Sequence, residues 1–267
     1  MTRLLGAAAL VPALHLPATA DAHRAWLLPS ATVLSGGEPW VTVDAAISND
    51  LFYFEHNPMR LDGLQIVAPD GSREEAQNRG SGKFRNTFDV RLVQPGTYKL
   101  AVVADGLFAR YEENGETKRW RGTAQRLAEI PETAQNLQLA QSQSRTEAFV
   151  TAGKPSTAAL KPSGIGLELE PVTHPNDLIA GEASRFRLLL DGKPAGGVNV
   201  MVIQGGIRYR DQLNETKLST DSEGHFEFVW PAPGMYWLNA SIQDDRSTIT
   251  GARRRASYTA TLEVLPP

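Results

Sequence analysis

Short apolar runs separated by turn-forming residues dominate the chain after its amino-terminal segment. Three runs in the first half have the length and composition of strands, at 38–48, 61–71 and 84–106. Asp-Gly pairs, which favour tight turns, occur at 62–63, 70–71, 105–106 and 191–192. Strands at such short spacing predict an all-β protein built from β-sandwiches.

The alternation of apolar and intervening residues is clearest in the segment TYKLAV. Tyr98, Leu100 and Val102 lie on one side of this segment if it is extended. This period of two predicts a half-buried strand. The stretch 132–145, rich in Gln and Ser, lacks the pattern and is predicted to be a short helix or a loop.

A weak internal repeat indicates two sandwiches. A Gly-x-Phe sequence opens a strand in each half, and Pro-Gly-x-Tyr-x-Leu follows at 95–100 and again at 233–238. The Pro-Gly pair is predicted to make a turn, and the Tyr and Leu to face a core. The predicted fold is therefore two tandem immunoglobulin-like β-sandwich domains, covering 23–163 and 164–267. The second is expected to fold alone, because it has a full set of strand and turn signals.

The amino-terminal segment predicts export. Arg3 precedes a short apolar run that ends at Pro17, and small residues follow, which is the layout of a secretory signal peptide. The apolar run is too short to span a membrane as a helix. The predicted signal peptide is 1–22, which places the mature chain in the bacterial periplasm.

Two small-x-small sites compete for cleavage of this signal. Cleavage after Ala22 leaves His23 as the first residue of the mature chain. Cleavage after Ala20 leaves Asp21 first, followed by Ala22 and His23. Both ends are suited to holding copper or nickel.

Composition narrows the range of partners. The net charge is −3, which argues against nucleic acid or an anionic membrane as a partner. Cysteine is absent, so neither disulfides nor thiolate metal sites form. No apolar stretch after the signal approaches the roughly 20 residues of a membrane-spanning helix. The mature chain is therefore predicted to have no membrane span.

The strongest candidate chemistry lies at the mature amino terminus. If His23 is the first residue, its α-amine and imidazole chelate one metal ion, and a second histidine completes a T-shaped copper site, the histidine brace. If Asp21 is first, the amine, two backbone amides and the His23 imidazole form a square-planar set, which Cu(II) and Ni(II) prefer. The alternative is that His23 merely begins the first strand.

His56 and Glu55 are the internal candidates for the same metal site. His56 is predicted to be the second imidazole of a brace, and Glu55 an axial carboxylate. Consecutive residues of a strand face opposite ways, but a turn before Pro58 brings the two side chains together. The alternative is a polar loop that covers an aromatic patch formed by 52–54.

The other polar features are predicted to be structural. His174 is assigned to a linker, His225 to a packed or solvent-facing strand start, and the basic run 251–257 to a solvated hairpin. The sequence contains no Gly-x-Ser-x-Gly elbow, phosphate-binding loop or His-Glu-x-x-His motif. No catalytic residue is therefore assigned.

Several segments together resemble the periplasmic family called domain of unknown function 4198. They are His23-x-x-Trp26-Leu27-x-Pro29, LEPVTHPNDLIAGE at 169–182, LLDGKPAGGVNV at 189–200 and the TDSEGHF and PGMYWL segments that follow. The resemblance implies a nickel-uptake-transporter-type periplasmic protein. It also implies a partner, either an outer-membrane receptor or an inner-membrane metal transporter, and it implies no reaction.

The function that these observations predict is non-catalytic binding of a transition metal in the periplasm. The metal is nickel, copper, cobalt or iron, bound for uptake or handling, and the donor sets favour Cu(II) or Ni(II). One alternative is a histidine-brace copper enzyme that acts oxidatively through the mature amino terminus. Another is a structural envelope spacer or interaction module.

Overall fold

The computed structural model describes residues 23–267, so the predicted signal peptide and Asp21 lie outside the described residues. The chain is all-β, as predicted. Its strands are β1 (Arg24–Pro29), β2 (Val33–Leu34), β3 (Trp40–Ser48), β4 (Asn57–Pro58), β5 (Leu64–Val67), β6 (Arg73–Glu74), β7 (Gln77–Ser81), β8 (Asn86–Arg91), β9 (Gly96–Glu113), β10 (Glu116–Gly122), β11 (Gln135–Ala152), β12 (Leu167–Pro171), β13 (Ala183–Leu190), β14 (Lys193–Pro194), β15 (Asn199–Gln204), β16 (Thr216–Ser219), β17 (His225–Val229), β18 (Gly234–Asp244) and β19 (Ala252–Val264). Short 3-10 helices lie at Ala124–Glu129, Ala158–Leu160 and Ile207–Tyr209.

The described strands form three sheets. The first has the order β1-β3-β8-β7, with β4 added to β3. The second has the order β16-β15-β18-β19-β11-β9-β5-β6, with β10 added to β9 and β2 to β11. The third has the order β12-β13-β14, with β17 added to β13.

The large second sheet runs through both predicted halves of the chain. Strand β11 of the first half pairs in parallel with β19 of the second, from Leu139 opposite Ala252 to Ala148 opposite Thr261. The predicted boundary at 163/164 lies after β11, in the connection to β12. The two halves are therefore joined by backbone pairing as well as by this connection.

Two hydrophobic cores follow the two halves. One consists of buried side chains between Leu27 and Ala152, and the other of buried side chains between Phe149 and Val264. A third, smaller cluster combines side chains of both halves: Trp26, Ala46, Leu51, Ile203, Ile207 and Trp237. The halves are thus also packed against each other.

The internal repeat corresponds to a repeated structure. Tyr98 is buried, and its hydroxyl accepts the backbone N–H of Gln94 at 2.8 Å and reaches the carbonyl of the same residue at 3.2 Å. Tyr236 makes the equivalent pair of contacts with Ala232. This arrangement is the tyrosine corner of immunoglobulin-like sandwiches. Burial raises the pKa of both phenols.

Long strands replace some of the predicted turns and loops. The Asp-Gly pair at 105–106 is wrong as a turn, because β9 passes straight through it. The stretch 132–145 is wrong as a helix or loop, because β11 begins at Gln135 and pairs with β9. The segment 97–102 is buried on both sides, and Lys99 directs its ammonium to the carbonyl of Lys161 at 2.9 Å.

The basic run 251–257 is part of β19 and is only partly solvated. Arg254 is buried, and its guanidinium contacts carboxylate oxygens of Asp191 at 2.9 Å and Asp244 at 2.6 Å. Arg253 and Arg255 are exposed on the opposite face of the strand. The alternation of a strand therefore divides three consecutive arginines between two environments.

Candidate functional site

The register of β3 brings the two candidate histidines to one place. Strand β1 pairs with β3 so that Arg24 lies opposite Ser48. Strand β4 also pairs with β3, and Asn57 lies opposite Ile47. The residues that precede Arg24 and Asn57 are His23 and His56, so both emerge beside the end of β3.

The imidazole rings of His23 and His56 are in contact. Their centroids are 3.7 Å apart and their planes differ by 12°, so the rings stack face to face. His23 is exposed and His56 is half-buried. A metal ion bound to an imidazole nitrogen lies in the plane of that ring, so the two rings must turn out of the stack to share one ion. The stack nevertheless places two imidazoles within reach of a common ligand.

Glu55 closes the loop that carries His56. Its Oε1 accepts the backbone N–H of Asn49 at 2.8 Å and that of Asp50 at 2.9 Å. Arg24 donates to the carbonyl of Asn49 at 2.6 Å. The carboxylate therefore ties this loop to the end of β3, directly beside the histidine pair.

The loop covers an aromatic patch, as one of the two interpretations of this segment predicted. Phe52 and Phe54 each lie with their ring centroids 5.5 Å from that of Trp26. Trp26 donates its indole N–H to Ser48 at 2.8 Å, and Trp237 of the other half donates to the carbonyl of Ala25 at 3.0 Å. Phe52 and Phe54 are half-buried, whereas Trp26 is fully buried, and full burial of a large apolar side chain contributes about 1.5–3 kcal/mol to folding. The two segments that carry the histidine pair are therefore packed against each other through these aromatic side chains.

The donor set available near the histidines is small. Within residues 23–267, no group of three or more His, Cys, Asp or Glu side chains is placed to hold a metal ion. Two imidazoles alone supply two nitrogen donors, and the α-amine of a chain that begins at His23 supplies a third. The residues at this position thus fit a three-nitrogen site only in a processed chain.

His174 has a structural role. The N–H of Asn176 donates to its Nδ1 at 3.2 Å, so the proton of the neutral ring is on Nε2. Nε2 faces the hydroxyl of Thr97 at 3.0 Å and the carbonyl of Ser156 at 3.2 Å. Burial lowers the pKa of His174, so the ring is held neutral.

His225 begins β17 and has one acidic neighbour. Its Nδ1 is 3.8 Å from Asp221 Oδ1, and its backbone N–H donates to the same carboxylate at 2.8 Å. The backbone N–H bond from His225 is the main reason that the pKa of Asp221 is lowered. This pair closes a turn and is not part of the histidine pair at the amino terminus.

A match to a protein-family model covers most of the strands described above. The family model for the domain of unknown function DUF4198 matches residues 20–244. The chain belongs to the DUF4198 family. No curated protein matches this DUF4198 chain. Within its described residues, the DUF4198 chain has no helix with both the length and the apolar character needed to cross a membrane.

Solved structures that match the DUF4198 chain include a domain pair of intimin and a set of fibronectin(III)-like modules. The D0-D1 domain of intimin is 11% identical, with 89% of this chain and 97% of that chain covered and a TM-score of 0.21. Fibronectin(III)-like modules of Clostridium thermocellum CbhA are 10% identical, with 89% and 94% covered and a TM-score of 0.21. Escherichia coli alpha-2-macroglobulin activated by porcine elastase is 13% identical, with 91% and 20% covered and a TM-score of 0.22.

Sequence reasoning overlooked one surface feature of the DUF4198 chain. Strands β9 and β10 form a hairpin whose exposed face carries several arginines. The signal for it was present: Asn114-Gly115 is a hairpin turn sequence, and Phe108 and Arg110 precede it at alternate positions. Both turn residues have positive φ, 52° and 78°, as a type I′ turn requires.

Proposed function

We propose that the mature chain binds a transition-metal ion at its amino terminus in the periplasm, as a non-catalytic protein of metal uptake or handling. The observation that supports this most is the contact between His23 and His56, whose rings stack at 3.7 Å. These residues are far apart in the sequence, and each was a candidate ligand on chemical grounds. Their contact supports a site of the brace type in particular, because that site needs a second imidazole.

The donors favour copper or nickel among the transition metals. Cleavage after Ala22 gives His23 a free α-amine, so the site offers one amine and two imidazoles. Nitrogen donors suit Cu(II) and Ni(II), and affinity for a given site rises along the series to copper. Glu55 uses Oε1 to hold the loop, so its proposed part in the site is that of a positioning residue.

The exposure of the site supports handling of the metal as cargo. His23 is exposed, so an ion held there is accessible to a protein that delivers or removes it. An outer-membrane receptor or an inner-membrane metal transporter is the proposed class of partner, in line with the nickel-uptake association that the family resemblance implies.

The experiment compares untagged chains that begin at His23. Calorimetry with Cu(II) and with Ni(II) is done on the unchanged chain, on His23→Ala, on His56→Ala and on His225→Ala as the matched control. We expect His56→Ala to weaken binding at least about tenfold, which corresponds to about 1.4 kcal/mol. We expect His23→Ala to weaken it further and His225→Ala to leave it unchanged.

Two further measurements separate the alternatives. Mass spectrometry of the exported protein identifies its first residue. This matters because a chain that begins at Asp21 should bind tightly and should be unaffected by His56→Ala. Oxygen consumption by the copper-loaded protein with a reductant tests the brace enzyme, and we expect none above free copper. If His23→Ala binds Cu(II) as tightly as the unchanged chain, the amino-terminal site does not exist.

A further inference from the structure

Four neighbouring strands of the large sheet present a basic surface at one end. Side chains of β9, β10, β11 and β19 alternate between the covered and the exposed side of the sheet there. The exposed side, called here the arginine face, consists of Phe108, Arg110, Arg119, Arg121, Gln138, Ala140, Arg253 and Arg255. Five of these eight residues are arginines, in a chain whose net charge is −3.

The register places like charges side by side. Arg119 of β10 lies directly opposite Arg110 of β9. Side chains at such positions are about 5 Å apart at Cβ, and like charges there destabilise a sheet. In the next row, Arg121 lies opposite Phe108, with its guanidinium carbon 5.0 Å from the ring centroid. The pairing of Arg119 with Arg110 does not serve stability, so it requires another explanation.

Few acidic groups balance these arginines. Among the described residues, no carboxylate forms an ion pair with Arg110, Arg119 or Arg121, whereas Arg253 lies 3.5 Å from Asp245 in a pair that is largely exposed. An exposed pair of that kind contributes little, about 0–1 kcal/mol. Glu112 is exposed on the same side of β9 as Arg110, and its carboxylate accepts a bond of 2.9 Å from the side chain of Asn136. The arginine face therefore keeps an excess of positive charge.

Protection of a sheet edge does not account for the surface. Arginine on an edge strand prevents unwanted pairing, and β10 is such a strand, with β9 as its partner in the described part of the chain. Arg110, however, is paired on both sides, with Arg119 of β10 and with Gln138 of β11. The charge of Arg110 on this inner strand therefore does not guard an edge.

A groove lies at this end of the sheet. Its volume is about 710 Å³, and its lining combines Phe108, Arg110, Arg119, Gln138, Ala140 and Arg253 of the arginine face with Ala109, Trp120, Leu137 and Leu139, which lie at alternate positions of the same strands. On the arginine face, Phe108 lies opposite Ala140 in one row across the sheet. Arg121 lies on one side of this apolar pair and Arg253 on the other. The arginine face therefore carries an apolar pair flanked by arginines, with Arg110 and Gln138 in the next row.

We propose that the arginine face binds an acidic, extended segment of a partner protein. Alternate side chains of an extended segment repeat every 6–7 Å or so, which matches the spacing of Arg119 from Arg121 and of Arg253 from Arg255 along their strands. Guanidinium groups bind carboxylates through paired hydrogen bonds. The net charge of −3 disfavours a flat anionic bilayer, whereas a segment rich in Asp or Glu supplies carboxylates at the matching spacing. This inference is independent of the metal site.

The test uses a fluorescently labelled decaglutamate peptide and the whole mature chain. Fluorescence anisotropy measures binding to the unchanged chain, to Arg110→Gln with Arg119→Gln, and to a control with Arg60→Gln and Arg79→Gln, two exposed arginines outside the groove. We expect the first double variant to bind at least roughly tenfold more weakly, with a smaller salt dependence, and the control to bind as before. The thermal midpoint of the first variant should stay equal or rise, because repulsion between two cations is removed.

Several results would overturn the proposal. Equal weakening in both double variants shows that only net charge matters. Binding of phosphatidylglycerol vesicles or of dextran sulfate, without binding of the peptide, assigns the face to a membrane or to an anionic polysaccharide. Failure of the unchanged chain to bind any of the three probes at low salt shows that the face has no anionic partner of this kind.

Discussion

Tyr258 donates a hydrogen bond of 2.9 Å to Glu147 across the parallel pair of β19 and β11. Both side chains are buried, and Arg145 lies 3.3 Å from Glu147 and 3.2 Å from Glu168. Burial, reinforced by the carboxylate of Glu147, raises the pKa of Tyr258, so its hydroxyl keeps its proton. The two halves of the chain therefore meet at a hydrogen-bonded group of buried charges.

Removal of the Tyr258 hydroxyl should weaken this junction. We expect Tyr258→Phe to lower the free energy of unfolding by about 1.5–3 kcal/mol, because it takes a donor from a buried carboxylate. Urea denaturation of the mature chain measures the change. Tyr209→Phe is the control, since Tyr209 is 86% exposed and should have no effect. Equal stability of Tyr258→Phe and the unchanged chain would show that Glu147 is satisfied without it.

The two tyrosine corners should contribute alike. Tyr98→Phe and Tyr236→Phe each remove a hydroxyl that contacts backbone groups four positions earlier. We expect each change to lower the free energy of unfolding by about 1 kcal/mol, because partly buried backbone groups lose their hydrogen-bond partner. Thermal or urea unfolding measures both, with Tyr209→Phe again as the control. A loss of stability in only one of the two variants would mean that the two tyrosine corners do not contribute equally to the free energy of unfolding.

Stability should decrease below neutral pH because of His174. Its folded pKa lies below the ordinary value of 6.5, since burial disfavours the charged ring. Between the two pKa values the unfolded chain binds more protons, so stability is full above about pH 6.5 and falls as the pH drops, by at most about 1.4 kcal/mol per pH unit.

His174→Gln tests this assignment, because glutamine does not titrate in this range. Thermal midpoints between pH 7.5 and 5 should fall less steeply in this variant than in the unchanged chain. His225→Gln is the matched control and should keep the original slope. A His174→Gln chain with the unchanged slope would assign the pH dependence to other groups.

The second half should not be stable by itself, in contrast to the expectation from its strand and turn signals. A fragment covering 164–267 lacks β11, which pairs with β19 over most of that strand's length. It also lacks Phe149, a buried member of the second core. We expect the fragment to show no cooperative thermal transition by circular dichroism, or to self-associate through the free edge of β19. A monomeric, β-rich fragment with a cooperative transition would contradict this.

The sequence predicts local features of this fold better than distant ones. The repeat at 95–100 and 233–238 specifies both tyrosine corners, because all of their contacts lie within a few residues. The Asp-Gly pair at 105–106 gives a false turn because pairing of β9 with β11 overrides local preference. The parallel pairing of β11 with β19 left no local pattern at all, since it depends on residues more than a hundred positions apart.

The same contrast between local and distant features applies to the candidate site. Chemistry alone named His23, His56 and Glu55, because imidazole and carboxylate are metal ligands wherever they occur. Their spatial relation depends on β1 and β4 both pairing with β3, and no spacing rule in the sequence reports that register. The arginines of β9 and β10 were open to prediction from the Asn114-Gly115 turn, which fixes which residues of a hairpin face each other.

The shared sheet has a mechanical consequence. When two modules are joined only by a flexible linker, each rotates separately, and a force on one module is not transmitted to the other. Here β11 and β19 are bonded side by side, and Thr32 near the amino terminus also donates a hydrogen bond to Glu263 near the other end. We therefore expect a torque on the arginine face to be transmitted through the sheet to both cores, so that the two halves rotate together as one rigid body.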